Sequence, residues 1–306
     1  MILTVTPNPA IDLTYRVASL DVGETHRVAP PAVRAGGKGL NVARVIAQTG
    51  SAAFALTTAG GPSGLRLADD LLASGLPHEL VPVAAPTRSS VAIVDETSGH
   101  TTIFNETGGA LSPAEWAALH DAVERLAVPA TCLVGSGSLP PDAPDDFYAR
   151  LVQVAAARGI PSIVDATGPA LLLAAEAGAT VLKPNRRELT ESTGEADPVA
   201  GAARLLELGA RLVLVSLGED GMLAITSDAP GGSLRAALPQ PLRGNATGAG
   251  DAAVAAVASC LAEGLTDPAA IVSRATAWSA AAVLAPLAGD LHPSYPELEA
   301  RLVLSA

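Results

Sequence analysis

Gly244-Asn245-Ala246-Thr247-Gly248-Ala249-Gly250-Asp251, followed by an apolar helical run at 252–262, is the most informative segment of this sequence. Glycines at a helix entrance let a ligand approach the backbone, where free N–H groups and the positive end of the helix dipole favour an anion. Asp251 opens the helix, so an ordinary helix cap is the alternative interpretation. Because a cap does not need Thr-Gly-Ala-Gly before it, we interpret the segment as an anion hole beside a carboxylate.

An anion hole next to one carboxylate suits phosphoryl transfer. The amides would stabilise charge on the transferring group, and Asp251 would accept the proton of the acceptor hydroxyl. Because the positive end of a helix dipole stabilises a carboxylate, we expect Asp251 to be ionised and available as a base.

A second glycine-rich segment, Arg34-Ala35-Gly36-Gly37-Lys38-Gly39-Leu40-Asn41, also leads into a helical pattern. It is not a Walker P-loop, because Ala32 stands where the first glycine is required and Gly39 stands where Ser or Thr should follow the lysine. A Gly-Gly turn with Asn41 in the first helical turn can present amides to a polyol, and a tight strand–helix turn is the alternative. Lys38 and Lys183 are the only lysines among 19 basic residues, which indicates sites that need a compact ammonium.

Short apolar runs alternate with helical patterns along most of the chain. Continuous hydrophobic strands indicate a parallel sheet covered on both faces. The alternation predicts an α/β fold, a three-layer α/β/α sandwich with a mostly parallel central sheet, formed as one domain by residues 1–306. The strands are expected at 2–6, 52–57, 131–134, 162–165, 181–183 and 211–216, and the helices at 41–48, 65–73, 145–157, 169–177, 198–208, 252–262 and 268–284.

Two segments break this alternation. Residues 12–33 and 88–104 have period-2 character and predict a small β-sheet lid inserted in the main domain. Residues 228–234, which include Gly231-Gly232, predict a flexible turn.

The composition excludes several classes of protein. The chain has 306 residues, a formal net charge of −12, 49% hydrophobic residues and 16% charged residues, so it is neither disordered nor suited to a broad nucleic-acid or anionic-membrane surface. It has no apolar run of the ~18–20 residues that a membrane span needs and no signal-peptide layout. Cys132 and Cys260 give no disulfide framework or zinc spacing. We therefore expect a cytoplasmic protein without nucleic-acid or membrane partners.

Gly36-Gly37-Lys38-Gly39 with Asn41 resembles the first signature of the ribokinase-like (PfkB) carbohydrate kinases, and Thr247-Gly248-Ala249-Gly250-Asp251 resembles the second. The likeness runs in the right order through almost the whole chain. It is strongest to the 1-phosphofructokinase branch, which also includes tagatose-6-phosphate kinases and a minor type of 6-phosphofructokinase. Further landmarks of the resemblance are Thr6-Pro7-Asn8-Pro9-Ala10-Ile11-Asp12, Gly135-Ser136-Gly137-Ser138, Lys183-Pro184-Asn185 with Glu188, and Ser216-Leu217-Gly218-Glu219-Asp220-Gly221.

The resemblance implies a ribokinase-like fold and a role for each matching position. Asp251 is the implied base, and the implied anion hole consists of Gly248, Ala249 and Gly250. The implied sugar-binding residues are Asp12, Gly37 and Asn41, and the implied sugar-phosphate contacts are Arg27, Lys38, Arg88 and Ser138. The implied nucleotide site comprises Lys183, Asn185, Ser216, Gly218, Gly221 and Thr247. Asn185 and Glu188 are implied to organise Mg²⁺, partly through water.

The resemblance also implies ATP and Mg²⁺ as cofactors, a monovalent cation as a further candidate, and a homodimer formed through the lid. The implied reaction is ATP-dependent phosphorylation of a ketohexose phosphate, with conversion of fructose 1-phosphate to fructose 1,6-bisphosphate placed first. Tagatose 6-phosphate, fructose 6-phosphate, and an unphosphorylated sugar or nucleoside stay open as substrates, and so does a non-catalytic sugar-phosphate sensor. Asn105-Glu106-Thr107-Gly108-Gly109 departs from the Asn-Glu-Pro-Gly-Pro usual in this branch, which leaves the exact sugar open.

Overall fold

The computed structural model describes all 306 residues of the chain apart from the side chain of Pro230. Its strands are β1 (Ile2–Thr6), β2 (Ala10–Val17), β3 (Ala32–Gly36), β4 (Ala53–Ala59), β5 (His78–Pro82), β6 (Arg88–Asp95), β7 (Thr101–Asn105), β8 (Cys132–Ser136), β9 (Ser162–Asp165), β10 (Val181–Leu182), β11 (Leu212–Ser216), β12 (Met222–Thr226), β13 (Ala229–Ala237) and β14 (Val303–Ser305). Its helices are α1 (Lys38–Gln48), α2 (Gly61–Ala73), α3 (Pro113–Leu126), α4 (Phe147–Ala157), α5 (Pro169–Glu176), α6 (Arg186–Thr193), α7 (Pro198–Leu208), α8 (Ala249–Ala262), α9 (Pro268–Val283) and α10 (Tyr295–Glu299).

A large twisted sheet has the strand order β14-β13-β12-β11-β10-β9-β8-β1-β4-β5. The strands from β11 through β5 in this order run parallel, whereas β12, β13 and β14 are antiparallel to their neighbours and form one edge. The carboxyl ends of the parallel strands therefore lie along one side of the sheet, which is where open α/β sheets bind ligands.

The large sheet is buried on both faces. Ile2 belongs to a core formed with α1, α2, α8 and α9, and the next residue, Leu3, belongs to a second core formed with α3, α4, α5 and α7. Alternate residues of a strand point to opposite faces, so the sheet separates two helical layers. The predicted three-layer sandwich with a mostly parallel sheet is confirmed. None of the described helices has the length and hydropathy to cross a membrane.

A separate small sheet has the order β3-β2-β6-β7. The predicted small sheet is therefore present, with residues 18–31 as an irregular connection between β2 and β3. Cross-strand register places Asp12 opposite Arg34 and Ser90, and this face, the cavity face, borders the cleft described below. The opposite face, the outer face, carries Leu13, Tyr15, Val33, Val91, Ile93 and Phe104.

The turn predicted over 228–234 is wrong. These residues lie mostly in β13, which pairs with β12, and the turn is confined to Ser227 and Asp228. The register jumps from the pair Ala224–Leu234 to the pair Thr226–Ala229, so Gly231 and Gly232 occupy a bulge. Glycine tolerates the local kink of a bulge, and pairing with the neighbouring strand overrides its turn preference.

Candidate active site

A cleft of about 2020 Å³ lies between the carboxyl ends of the parallel strands and the cavity face of the small sheet. Residues at or just beyond the carboxyl ends of β1, β8, β9, β10 and β11 line it, because these strands end along the same side of the sheet. They include Asn8, Ser138, Asp165, Lys183 and Ser216.

Asp251 is buried in the first turn of α8, where Asn41 Nδ2 donates a 2.8 Å hydrogen bond to Asp251 Oδ2. Burial raises the pKa of Asp251 to about 7, and the nearby ammonium of Lys38 opposes that rise. The expectation that this carboxylate is fully ionised is therefore corrected, because burial outweighs the opposing charge of Lys38 and the hydrogen bond from Asn41. A pKa near neutrality suits a general base.

The glycine-rich turn before α8 (residues 244–251, the anion-hole turn) is tightly packed. Gly248 is left-handed with φ +86°, and a Cβ there would lie 2.9 Å from Ala288 Cα. Within the described part of the chain, the N–H groups of Gly250 and Asp251 have no protein acceptor, whereas Ala249 N–H donates to Ala246 O at 3.2 Å. The free donors at a helix N-terminus form a site for an anion.

Two lysines and two carboxylates converge beside this turn. Lys38 Nζ lies 3.3 Å from Asp165 Oδ2 and 3.5 Å from Glu188 Oε1, and Lys183 Nζ lies 3.5 Å from Asp165 Oδ1. Burial acts to lower the pKa of Lys38, but Asp165, Glu188 and Asp251 outweigh it and the pKa is raised. Burial acts in the opposite sense on Asp165, whose pKa is nevertheless held below its usual range by Lys183 and Lys38. Lys38 and Asp165 are therefore charged at neutral pH.

Asn185 and Glu188 form a capping box at the start of α6. Asn185 Oδ1 accepts from Glu188 N at 2.9 Å, and Glu188 Oε2 accepts from Asn185 N at 2.9 Å. The described residues contain no group of three or more His, Cys, Asp or Glu side chains that could hold a metal ion. A Mg²⁺ that arrives on nucleotide phosphates needs only one or two carboxylates, and the hard oxygens of Glu188 and Asp165 fit that requirement.

The end of the cleft near β11 carries the residues predicted to bind nucleotide. Ser216 ends β11, and a short turn at Gly218–Asp220 follows it. Ser216 N donates to Pro184 O at 3.1 Å, which holds this turn against the Lys183-Pro184-Asn185 segment. The predicted nucleotide residues Lys183, Asn185, Ser216, Gly218, Gly221 and Thr247 all line the cleft.

The opposite end of the cleft carries the residues predicted to bind sugar. Arg88 Nε donates to Asn8 O at 3.3 Å and Arg88 Nη1 donates to Glu106 O at 3.0 Å, so its side chain is held in place without a substrate. Asn8 Nδ2 donates to Ser138 Oγ at 3.3 Å. Burial raises the pKa of Asp12 to about 6, against the opposing charge of Arg88.

The remaining predicted residues divide into two groups. Gly37, the N-cap of α1, lines the cleft together with Lys38 and Asn41. Arg27 is exposed on the 18–31 connection and does not line the cleft. Lys38, predicted to contact a sugar phosphate, lines the same cleft as Arg88 and pairs with the carboxylates of Asp165 and Glu188.

Sequence reasoning missed Asp165 and Asn8 as site residues. Asp165 is the last residue of the apolar strand β9, and Asn8 follows β1 by two residues. Polar residues at the carboxyl ends of buried parallel strands are the signal that would have indicated both.

The model of the "pfkB family carbohydrate kinase" family matches residues 5–294. The chain is 35% identical over 269 residues to "ATP-dependent 6-phosphofructokinase isozyme 2" from Mycobacterium tuberculosis, covering 86% of this chain and 78% of that protein. It is 36% identical over 288 residues to "1-phosphofructokinase" from Xanthomonas campestris, covering 90% of this chain and 89% of that protein. Phosphofructokinase-2 from Escherichia coli in complex with fructose-6-phosphate is similar in structure, with 32% identity, a TM-score of 0.86 and 98% of each chain covered. The same protein has been solved with potassium, with a TM-score of 0.88, and as a tetrameric inhibited form.

Proposed function

This chain belongs to the pfkB family of carbohydrate kinases, which makes it a phosphotransferase with an alcohol acceptor, and from that premise we propose that it phosphorylates a ketohexose phosphate with ATP. Fructose 1-phosphate is the first candidate, with fructose 1,6-bisphosphate as product. The observation that carries the proposal is Asp251, a buried carboxylate of raised pKa beside unpaired amides at the N-terminus of α8.

In the proposed reaction Asp251 accepts the proton of the sugar hydroxyl as that oxygen attacks the γ-phosphorus of ATP. Asn41 holds the carboxylate in place by donating a 2.8 Å hydrogen bond to Oδ2, which leaves Oδ1 as the oxygen that accepts the proton. The new O–P bond forms as the bond between the γ-phosphorus and the β-phosphate oxygen breaks, and ADP leaves. Because phosphoryl transfer leaves little covalent chemistry to the protein, position and charge supply most of the acceleration.

Negative charge on the transferring group is proposed to be balanced by the amide of Gly250 and the two lysines. A Cβ on Gly250 would lie 3.3 Å from Lys183 Nζ, so one ammonium stands directly beside the anion-hole turn. Lys38 lies on the other side of Asp165. Fixed donors of this kind strengthen as charge develops in the transition state.

The proposed Mg²⁺ would be held by Glu188 and Asn185, with Asp165 nearby, partly through water. When bound it would screen the charge of the nucleotide phosphates. Four buried side-chain oxygens in the described part of the chain have no partner: Thr4 Oγ1, Thr6 Oγ1, Asn41 Oδ1 and Ser259 Oγ. For a monovalent cation in the cleft, only Asn41 Oδ1 among them belongs to a residue that lines it. One oxygen does not make a cation cage, so no step of the proposed reaction uses such an ion.

We propose that Arg88 binds the phosphate of the sugar, with Ser138 and Asn8 beside it. A guanidinium fork matches a phosphate and would have no comparable partner on a neutral sugar. Fructose 1-phosphate and fructose 6-phosphate each carry a phosphate at one end of the furanose and a primary hydroxyl at the other, and both give the same bisphosphate. Relatives named for both activities stand at 35% and 36% identity, so both substrates belong in the test.

The test is a coupled ADP-release assay with MgATP and a panel of acceptors: fructose 1-phosphate, fructose 6-phosphate, tagatose 6-phosphate, fructose, ribose and adenosine. A clear lead in kcat/KM for fructose 1-phosphate supports the proposal. A lead for another sugar phosphate keeps the proposed chemistry and changes the sugar. A lead for an unphosphorylated acceptor contradicts the proposed role of Arg88.

The same assay with Asp251→Asn addresses the alternative of a non-catalytic sensor. The variant should bind sugar phosphate and MgATP in calorimetric titrations yet turn over several orders of magnitude more slowly, since it lacks the base. A wild-type protein that binds both ligands and releases no ADP with any acceptor would support the sensor instead.

A further inference from the structure

Arg34 joins the small sheet to a loop beside the anion-hole turn. Its Nη1 atom lies 2.7 Å from Asp290 Oδ1 and donates to Ala288 O at 3.1 Å. The two side chains are only 21% and 27% exposed, so solvent screens this ion pair less than one on the surface. The Arg34 guanidinium therefore binds the loop at two points, the backbone carbonyl of Ala288 and the carboxylate of Asp290.

This loop, residues 288–290, is called the 288–290 segment, and it packs against the anion-hole turn. A Cβ on Gly248 would lie 2.9 Å from Ala288 Cα and 3.2 Å from Gly289 N, so the two backbones are in close contact. On its other side the segment is held by Gln48 at the end of α1. The Gln48 side chain donates to Gly289 O at 2.9 Å and accepts from Leu291 N at 2.9 Å.

The backbone of β3 at Arg34 is itself fixed to the main body. The neighbouring residue, Ala35, donates from its N–H to Asp70 Oδ2 at 2.9 Å, and Arg44 Nη2 lies 2.6 Å from that same oxygen. Arg44 also donates to Ala35 O at 3.3 Å. Arg34 therefore acts from a rigid base, so its side chain can hold the 288–290 segment in one position.

Arg34 also borders the space next to the sugar-binding carboxylate. It stands opposite Asp12 in the β2–β3 register. A small cavity of about 40 Å³ is lined in common by Asp12, Arg34, Thr247 and Ala288, which belong to the small sheet, the anion-hole turn and the 288–290 segment. Arg34 is therefore next to Asp12 on one side and next to the anion-hole turn on the other.

We propose that Arg34 is a positioning residue that holds the 288–290 segment against Gly248 and so keeps the anion-hole amides in their catalytic geometry. This rests on the proposed function in so far as the amides act on a phosphoryl group. Misplacement of fixed donors by about 1 Å can cost on the order of 100-fold in rate. Loss of the Arg34 contacts should therefore lower kcat by roughly 10- to 100-fold. The KM for ATP should stay within about twofold, because Ser216 and Lys183, the proposed nucleotide contacts, lie outside the 288–290 segment.

The variants are Arg34→Met, which keeps the length of the side chain without its donors, and Asp290→Asn, which removes only the charge of the partner. Arg34→Lys is the conservative variant and should recover part of kcat. Arg204→Met is the matched control, because Arg204 pairs with Glu207 on the exposed surface of α7. Circular dichroism checks the fold of each protein, and Asp290→Asn keeps the test decisive if Arg34→Met does not fold.

Hydrogen–deuterium exchange of a peptide spanning 244–252, in protein without ligand, is the readout that activity cannot supply. Faster exchange of that peptide in Arg34→Met and Asp290→Asn, with wild-type exchange in Arg204→Met, supports the proposal. Unchanged exchange together with unchanged kcat overturns it. If the wild-type protein phosphorylates no acceptor of the panel, the proposed function has failed, while the exchange experiment still decides whether Arg34 holds the turn.

Discussion

Asp251 combines two opposed electrostatic influences, and their balance predicts how activity depends on pH. Burial raises its pKa to about 7, and only the ionised form can accept a proton. In the free enzyme kcat/KM should therefore be half-maximal near pH 7, level off about one pH unit above it, and approach a tenfold fall per pH unit well below it. A pH–rate profile from pH 5.5 to 9 measures this. A profile that is flat down to pH 5.5 would contradict the raised pKa.

The same shift predicts a stability effect of defined sign. The native pKa of Asp251 exceeds the ordinary value of 3.8, so native protein binds the extra proton between these values. The stabilisation is complete below about pH 4 and is lost as pH rises through about 7. Asp251→Asn lacks this titration, so its free energy of unfolding relative to wild type should be higher at pH 8 than at pH 5. Urea unfolding at both pH values measures the difference, and equal differences would count against the shift.

Arg88 and Arg27 were both predicted from the sequence to contact the sugar phosphate, but the structure leads us to expect different effects when each is substituted. Arg88 is pre-positioned in the cleft by two backbone carbonyls, whereas Arg27 is exposed outside it. Arg88→Met should lower kcat/KM for a sugar phosphate by about 100-fold, since a charge-assisted contact is worth ~1.5–3 kcal/mol. Arg27→Met, assayed in parallel, should show a loss of that size only if the 18–31 connection brings Arg27 to the phosphate. Equal activity of Arg88→Met and wild type would contradict a phosphate role for Arg88.

Whether an individual site residue could be predicted from the sequence depended on its local sequence context. Asp251 could be predicted because the glycines that precede it have a chemical purpose visible in the sequence. Asp165 could not be predicted, because its contacts with Lys38 and Lys183 follow only from the alignment of β8, β9 and β10 in the sheet. The raised pKa of Asp251 was hidden for the same reason, since desolvation is set by packing around the helix entrance.

The first turn of α6 performs two tasks, and a conservative substitution separates them. Glu188 caps the helix with Oε2 and faces Lys38 with Oε1. Glu188→Gln can still cap, because an amide oxygen accepts from Asn185 N, but it loses its charge. We expect a change in stability below ~1 kcal/mol and a Mg²⁺ concentration for half-maximal activity that is about tenfold higher.

The matched control for that prediction is Glu115→Gln in the capping box of α3, which Ser112 and Glu115 form away from the cleft. It should change thermal stability by a similar amount and leave the Mg²⁺ dependence unaltered. If Glu188→Gln and Glu115→Gln show the same Mg²⁺ titration, Glu188 has no part in metal binding.

The prediction of whole elements succeeded where one segment carried its own periodicity. Strands β1, β9 and β11 and helices α4, α7 and α8 follow from apolar runs and their capping residues. Strand β13 does not, because Gly231 and Gly232 favour a turn locally and become strand only through pairing with β12. Long-range pairing therefore decides this edge of the sheet, and no local pattern encodes it.

At the scale of the whole molecule, the outer face of the small sheet is the surface on which the oligomeric state depends. Leu13 and Val33 pack against the main core, while Phe104 is 60% exposed on the same face with Tyr15 and Ile93 nearby in register. Contiguous exposed apolar surface commonly marks an interaction site. The chain carries a net charge of −12, while the outer face between Leu13 and Phe104 carries uncharged side chains and has a carboxylate only at its end, at Asp95, so a second copy can approach here with little repulsion. We therefore expect a homodimer formed through the outer face.

Phe104→Asp should convert this homodimer to monomer, because each copy would then bury a carboxylate in an apolar contact, at a cost that a small interface cannot offset. Val128→Asp is the matched control, because Val128 is an exposed apolar residue, 74% accessible, just after α3 on the main body. Sedimentation velocity of the three proteins at the same concentration measures the outcome. A dimeric wild type and Val128→Asp beside a monomeric Phe104→Asp would place the interface on the small sheet. A wild-type monomer, or a Phe104→Asp protein that sediments as a dimer, would show that this face does not join two copies.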